Sequence, residues 1–307
     1  MKAVIFFIII ALMRVIQSVC NKRSSNEVKG TKTFFAYGTY YQAMAAAVSI
    51  ISVAVTGFGG LNFATVICGA VTAVFLMINF YSMLYAVKGC TLILTSMASN
   101  GGLAICCLVS WVWFGEAIGI LQGVGLLLFF VAAYLLSAPP KSETGDDKKK
   151  ISKKTWILLV AVMLSEGCVE ISQKYFSIKV GGNSAWYSLF MFAASAAIMS
   201  AGFIKENISE KRLQIDLTER ENAAKSVILS KTLLICGGLL AIAIFAVNFL
   251  VTELGKTVSS IILFPVSASI SICVTVLVGW IVYKEKLTIK NVIGVISGLL
   301  SVILLAI

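Results

Sequence analysis

Several side chains stand where their chemistry conflicts with their surroundings. Arg14 interrupts an apolar run that begins at Ala3, and Glu166 interrupts another that begins at Trp156. A charge at the centre of a membrane helix costs roughly 2.5–3.5 kcal/mol on insertion scales unless it faces protein or water. Each of these two therefore needs a partner or a ligand. The planar fork of Arg14 suits a carboxylate or phosphate, while a desolvated Glu166 suits a cationic amine or a proton in transit. The same two residues also read as a purely structural ion pair, since breaking a buried pair is costly even where the pair adds little. Glu170 and Lys174 continue from Glu166 at intervals of four, so they share one polar stripe on which they can neutralise each other. Gln17 and Ser18 extend the polar face one turn beyond Arg14. Asn79 and Asn248 lie in otherwise apolar runs and read equally as helix glue or as hydrogen-bonding groups for a solute. Tyr81 and Tyr85, following Asn79, read as interfacial anchors or as aromatic walls for a cationic or planar solute.

Other chemistries are poorly served. The chain has no histidine, which removes imidazole ligands and the usual Ser–His or Cys–His nucleophile pairs. The 8 cysteines form no CxxC pair and read as small buried hydrophobes, so no metal site and no disulfide framework is expected. No glycine-rich phosphate loop is present, so neither a nucleotide cofactor nor ATP hydrolysis is expected. An enzyme is the least expected class, only carboxylates being available as bases.

The elements that must position these residues follow from composition. Hydrophobic residues make up 59% of the 307 and charged residues 13%, with a mean hydropathy of +0.96. An ordinary soluble domain carries about 25% charged residues, so a soluble fold is excluded. The net charge of +11 arises between the apolar runs, as loops facing anionic lipid require, and nucleic acid is not the expected partner. Residues 33–87 run without an Asp, Glu, Lys or Arg for about 82 Å of helix, nearly three bilayer cores, and must turn back at Thr56-Gly57-Phe58-Gly59-Gly60. Applied throughout, this reasoning predicts helical spans near 3–20, 31–56, 61–87, 90–114, 117–138, 155–177, 184–204, 231–254, 258–283 and 288–307. Lys2 before Ala3–Met13 looks like the start of a signal peptide, but Arg14 follows at once and no small-residue cleavage site appears.

The chain also repeats itself. Asn79-Phe80 falls on Asn248-Phe249 and, at the same offset, Trp111 on Trp280, Glu116 on Glu285 and Gly125 on Gly294. With the shorter offset of the early spans, Asn21-Lys22 falls on Gln173-Lys174 and Arg14 on Glu166. Copies with an odd number of spans enter the membrane from opposite sides, which is the inverted repeat of many transporters, with the binding site near the midplane between them. The expected architecture is an all-α membrane protein of ten transmembrane helices in two inverted five-helix repeats. These are residues 1–138 and 155–307, joined by a charged linker over 139–154. A polar connection over 205–230 carries a surface helix from Leu213 to Ala224.

On this doubled unit, on Trp111-Val112-Trp113-Phe114-Gly115-Glu116, on Trp280 through Leu287 and on Pro265 of the ninth span, the chain resembles the drug/metabolite transporter superfamily in its EamA-like ten-helix branch. The resemblance covers nearly the whole chain. It implies a permease for a small-molecule substrate, a bilayer environment, and a structural role for Glu116, Glu285, Trp111, Trp280, Gly125, Gly294 and Pro265. Glu116 and Glu285 in tight connections are suited to capping the helix that follows each. The expected function is secondary transport of a small polar metabolite, amino acid or amphipathic cation by alternating access, as a proton-coupled exporter, by a monomer or homodimer in a bacterial inner membrane. Two alternatives remain open: a carrier of a nucleotide sugar or lipid-linked head group, with Arg14 and Lys88 as phosphate ligands, and a non-transporting scaffold or sensor acting through residues 205–230. Lys and Arg concentrate in the connections after odd-numbered spans, which places those in the cytoplasm and both termini outside, whereas the resemblance implies cytoplasmic termini.

Overall fold

The computed structural model describes residues 2–90, 92–116, 119–136, 152–215, 229–281 and 289–306. Among them the chain is all helix: α1 (Lys2–Glu27), α2 (Gly30–Thr56), α3 (Phe63–Gly89), α4 (Leu92–Trp113), α5 (Ile120–Leu136), α6 (Lys153–Tyr175), α7 (Ser184–Ile215), α8 (Lys231–Leu254), α9 (Ser260–Ile281) and α10 (Ile289–Ala306). Six of these helices, α1, α2, α3, α6, α7 and α8, are long and apolar enough over their described residues to cross a membrane. The apolar surface agrees with that environment. Ile51 on α2, Phe63 on α3 and Ile157 on α6 are 65%, 78% and 68% exposed, and a soluble protein would not leave so many such side chains in water. This is the architecture of a multi-pass membrane protein.

Side chains set several boundaries. Asn62 Oδ1 accepts from Thr65 N at 2.7 Å to start α3, Ser152 Oγ from Thr155 N at 3.1 Å to start α6, and Ser230 Oγ from Leu233 N at 3.2 Å to start α8. The turn between α2 and α3 falls where its glycines predict, Gly57 taking φ of 96°. Two helices run longer than their apolar patterns. α1 continues to Glu27, and α7 continues through the charged Lys205 and Glu206 to Ile215, so Leu213 belongs to a long α7 and not to a separate surface helix. The rest of that expected helix, with Glu221 and Lys225, and the linker core 139–151 lie outside the described residues.

Connections gather at two ends. Lys88 Nζ donates to Val28 O at 2.6 Å, and Ser230 bonds the Glu27 carboxylate, joining the α1–α2, α3–α4 and α7–α8 connections. At the other end Asn183 Nδ2 donates to Thr56 Oγ1 and Gly57 O at 2.9 and 3.0 Å, and Lys256 Nζ donates to Gly182 O at 3.0 Å. Between the ends α2 packs on α7, α5 on α10 and α4 on α9, while α1 lies against α8 and α9 as α6 lies against α3 and α4. One aromatic core joins Phe34, Tyr37, Tyr41, Phe80, Tyr187 and Phe192, and a second, apolar core joins Ile10, Leu103, Cys106, Phe129, Leu263 and Phe264.

α4 and α6 approach most closely through glycine. A Cβ on Gly102 would lie 2.6 Å from both Gly167 N and Met163 O, backbone atoms that cannot step aside. Gly102→Ala is therefore expected to destabilise the protein by about 1–3 kcal/mol through overpacking. Gly59→Ala, where a Cβ meets nothing within 4 Å, should leave the unfolding midpoint in detergent unchanged.

Candidate functional site

The polar stripes of α1 and α6 face one another. Arg14 Nη1 lies 3.7 Å from Glu166 Oε1, so the two isolated charges of the apolar runs do find each other. Around them residues of α1, α2, α3, α4, α6, α8 and α9 line a cavity of about 110 Å³. Arg14, Gln17 and Asn21 line it from α1, and Glu166, Glu170 and Gln173 from α6, in each case residues on successive turns of one helical face. Tyr41, Phe80 and Phe264 supply aromatic walls, and Ser99 and Ser267 add hydroxyls.

Asn79 and Asn248 both line the cavity, and both bond residues of α6. Asn248 Oδ1 accepts from Gln173 Nε2 at 2.5 Å while its own Nδ2 donates to Ile244 O at 2.8 Å. Asn79 Nδ2 donates to Ser165 Oγ at 3.3 Å and to Val162 O at 3.4 Å, at the long limit of hydrogen bonding. Asn248 thus joins α8 to α6 through Gln173 while still lining the cavity. Asn79 is the more loosely held of the two.

Three buried polar atoms at this cavity have no hydrogen-bond partner among the described residues: Arg14 Nε, Glu170 Oε2 and Ser267 Oγ. Buried polar groups are nearly always satisfied, so these three call for water or a solute as their partner.

Other expectations fall elsewhere. Tyr81 and Tyr85 do not line the cavity. They pack on each other at 4.7 Å and against Phe34 at 5.5 and 5.8 Å. Lys88, the alternative phosphate ligand, is also absent from the cavity, its ammonium bonding Val28 O and lying 4.8 Å above the Tyr85 ring. Lys174 does not neutralise Glu170. It pairs with Glu116 Oε1 at 2.9 Å and donates to Gly255 O and Val258 O at 3.3 and 3.0 Å. Glu116 Oε2 accepts from Ser260 N at 2.9 Å, so among the described residues Glu116 caps α9 and makes no bond to the start of α5, the helix that follows it. This buried clamp had no signal in the sequence beyond the two charges themselves. Gly125 O accepts from Ser301 Oγ at 2.7 Å between α5 and α10. Gly294 is buried in α10. Pro265 is buried within α9, and Trp111 is half exposed at the end of α4. Glu285 and the side chain of Trp280 lie outside the described residues.

Comparison with known proteins adds the fold alone. No protein-family model and no curated protein matches the chain. Solved structures do match, among them one described as "Crystal structure of protein", which superposes with a TM-score of 0.68 over 99% of this chain and 96% of that one at 12% identity.

Proposed function

We propose that this chain is a secondary transporter for a small polar solute, built as ten membrane helices in two inverted five-helix repeats of the EamA-like type. The Arg14–Glu166 contact carries the reading. These residues occupy equivalent positions of the two sequence copies, and their side chains meet at a polar cavity with unsatisfied groups. Helix packing supports the duplication: exchanging the first five helices for the second five turns the α1–α8 contact into α6–α3, and α4–α6 into α9–α1, while α2–α7, α4–α9 and α5–α10 map onto themselves. A two-fold relation in the membrane plane has this property.

In this reading Arg14 and Glu166 hold opposite sides of the solute, and Asn79, Gln17 and Asn21 supply adjustable hydrogen bonds. Glu166 exchanges its arginine for a proton when the solute leaves, which couples transport to a proton gradient. α9, whose Pro265 interrupts its hydrogen-bond ladder, provides a point at which the cavity can open. A nucleotide sugar fits this conformation poorly, since the cavity holds about 110 Å³ and the second basic ligand is engaged elsewhere.

The test is a thermal-unfolding screen of the detergent-purified protein against pooled amino acids, nucleotide sugars, polyamines and lipophilic cations. A ligand that binds only the folded state at a hundred times its Kd adds about 2.7 kcal/mol. One solute class should stabilise the wild type and neither Arg14→Ala nor Glu166→Gln. No shift from any pool, or equal shifts in both variants, would count against a central binding site.

A further inference from the structure

The cavity carries an imbalance that the ion pair leaves unresolved. Arg14 brings one positive charge, whereas Glu166 and Glu170 bring two carboxyls. Only Glu166 contacts the guanidinium within ion-pair distance among the described residues. Glu170 is 8% exposed, lines the cavity, and its Oε2 accepts no hydrogen bond among the described residues. Two neighbouring donors on the same helix are directed elsewhere: Gln173 Nε2 bonds Asn248, and Lys174, one turn along, bonds Glu116 and two carbonyls.

We infer that Glu170 is the ammonium subsite of the cavity, and that the solute is a small amine carrying at least one N–H, bound as a monocation. This rests on the transporter reading above and narrows its substrate class. Three observations lead to it. The acceptor left open is a carboxylate oxygen, whose best partner is a charged N–H donor. An ammonium group supplies the opposite charge that Glu170 needs to ionise beside Glu166, which an anion cannot supply. Aromatic rings of Tyr41, Phe80 and Phe264 line the same space, and their faces attract an ammonium group. The open donor, Arg14 Nε, adds a finer requirement: the amine should bear an acceptor such as a hydroxyl a few bonds from its nitrogen. The volume of about 110 Å³ restricts it to a small molecule.

Ethanolamine and choline separate the elements of this inference, since both carry one positive charge and one hydroxyl but choline has no N–H. Glycine and acetate test the zwitterion and the anion. Each is added at 10 mM-scale concentrations to the purified full-length protein and to Glu170→Gln, an isosteric change, with the unfolding midpoint as readout and monodisperse elution as the folding check. Ethanolamine should raise the wild-type midpoint, choline should raise it at least tenfold less effectively by concentration, and Glu170→Gln should lose the ethanolamine response. Equal responses to ethanolamine and choline would overturn the N–H requirement, glycine acting alone would overturn the monocation requirement, and acetate acting alone would overturn the ammonium assignment, each leaving a central binding site standing. If Glu170→Gln fails to fold, the wild-type comparison of ethanolamine with choline decides by itself. Stabilisation by none of the four overturns the amine assignment, and the pooled screen then reports separately on whether the cavity binds any solute.

Discussion

Lys174→Ala is expected to remove about 3–5 kcal/mol of stability, the cost typical of leaving one member of a buried ion pair alone. Lys174 is 3% exposed, and it satisfies a carboxylate and two main-chain carbonyls at once, holding the end of α6 to the α4–α5 and α8–α9 connections. Removing the ammonium leaves Glu116 charged and largely shielded from solvent beside Gly255 O and Val258 O, with only Ser260 N among the described residues still donating to it. The double variant Lys174→Met with Glu116→Gln should recover most of the loss. It removes both charges together, and the glutamine can still accept from Ser260 N. Equilibrium unfolding in detergent, analysed as a double-mutant cycle, checks both statements. A single variant as stable as the wild type would show that the clamp does not bear on folding.

The second large effect lies at the cavity. Arg14→Ala is expected to weaken solute binding by the 2–5 kcal/mol typical of truncating one partner of a buried charge pair, which is roughly thirty- to several-thousand-fold in affinity. Glu166→Gln should retain shape but also weaken binding, and it should abolish the proton dependence of transport, because the group that gives up and takes back the proton is gone. Binding titrations at two pH values with each variant distinguish these roles. Equal losses and an unchanged pH dependence in both variants would return the pair to a structural role.

How much of this was legible in the sequence varies residue by residue. Arg14 and Glu166 were, because an apolar environment leaves a lone charge so few options that two such charges at equivalent repeat positions point to each other. The α2–α3 turn was legible for a similar reason: an apolar run too long for one crossing and a glycine cluster inside it leave one place to reverse. Of the two readings of Tyr81 and Tyr85, it is the aromatic-wall one that the cavity does not support, because nearness to Asn79 in sequence is not nearness on the helix. Helical geometry turns about 100° per residue, so Tyr81 lies about 200° and Tyr85 about 240° around α3 from Asn79, whereas Met83 at four residues returns to its side and does line the cavity. Lys174 was misread because spacing of four is also the spacing of a helical ion pair. What decides its partner is the arrival of Glu116 and the α8–α9 carbonyls at the end of α6, which only tertiary packing supplies. The open oxygen of Glu170 belongs to the same category: an unsatisfied group becomes visible only when all its neighbours are placed.

The central claim is transport through the cavity between α1 and α6, and a proton-flux measurement tests it most directly. The protein is reconstituted into vesicles holding a pH-sensitive dye, and a gradient of the solute that most raises the unfolding midpoint is imposed across the membrane. The account predicts solute-driven proton movement in the wild type, opposite in sign when the solute gradient is reversed, and none in Glu166→Gln. A wild type that binds the solute but moves no protons, or a Glu166→Gln variant that moves them at the wild-type rate, would contradict it.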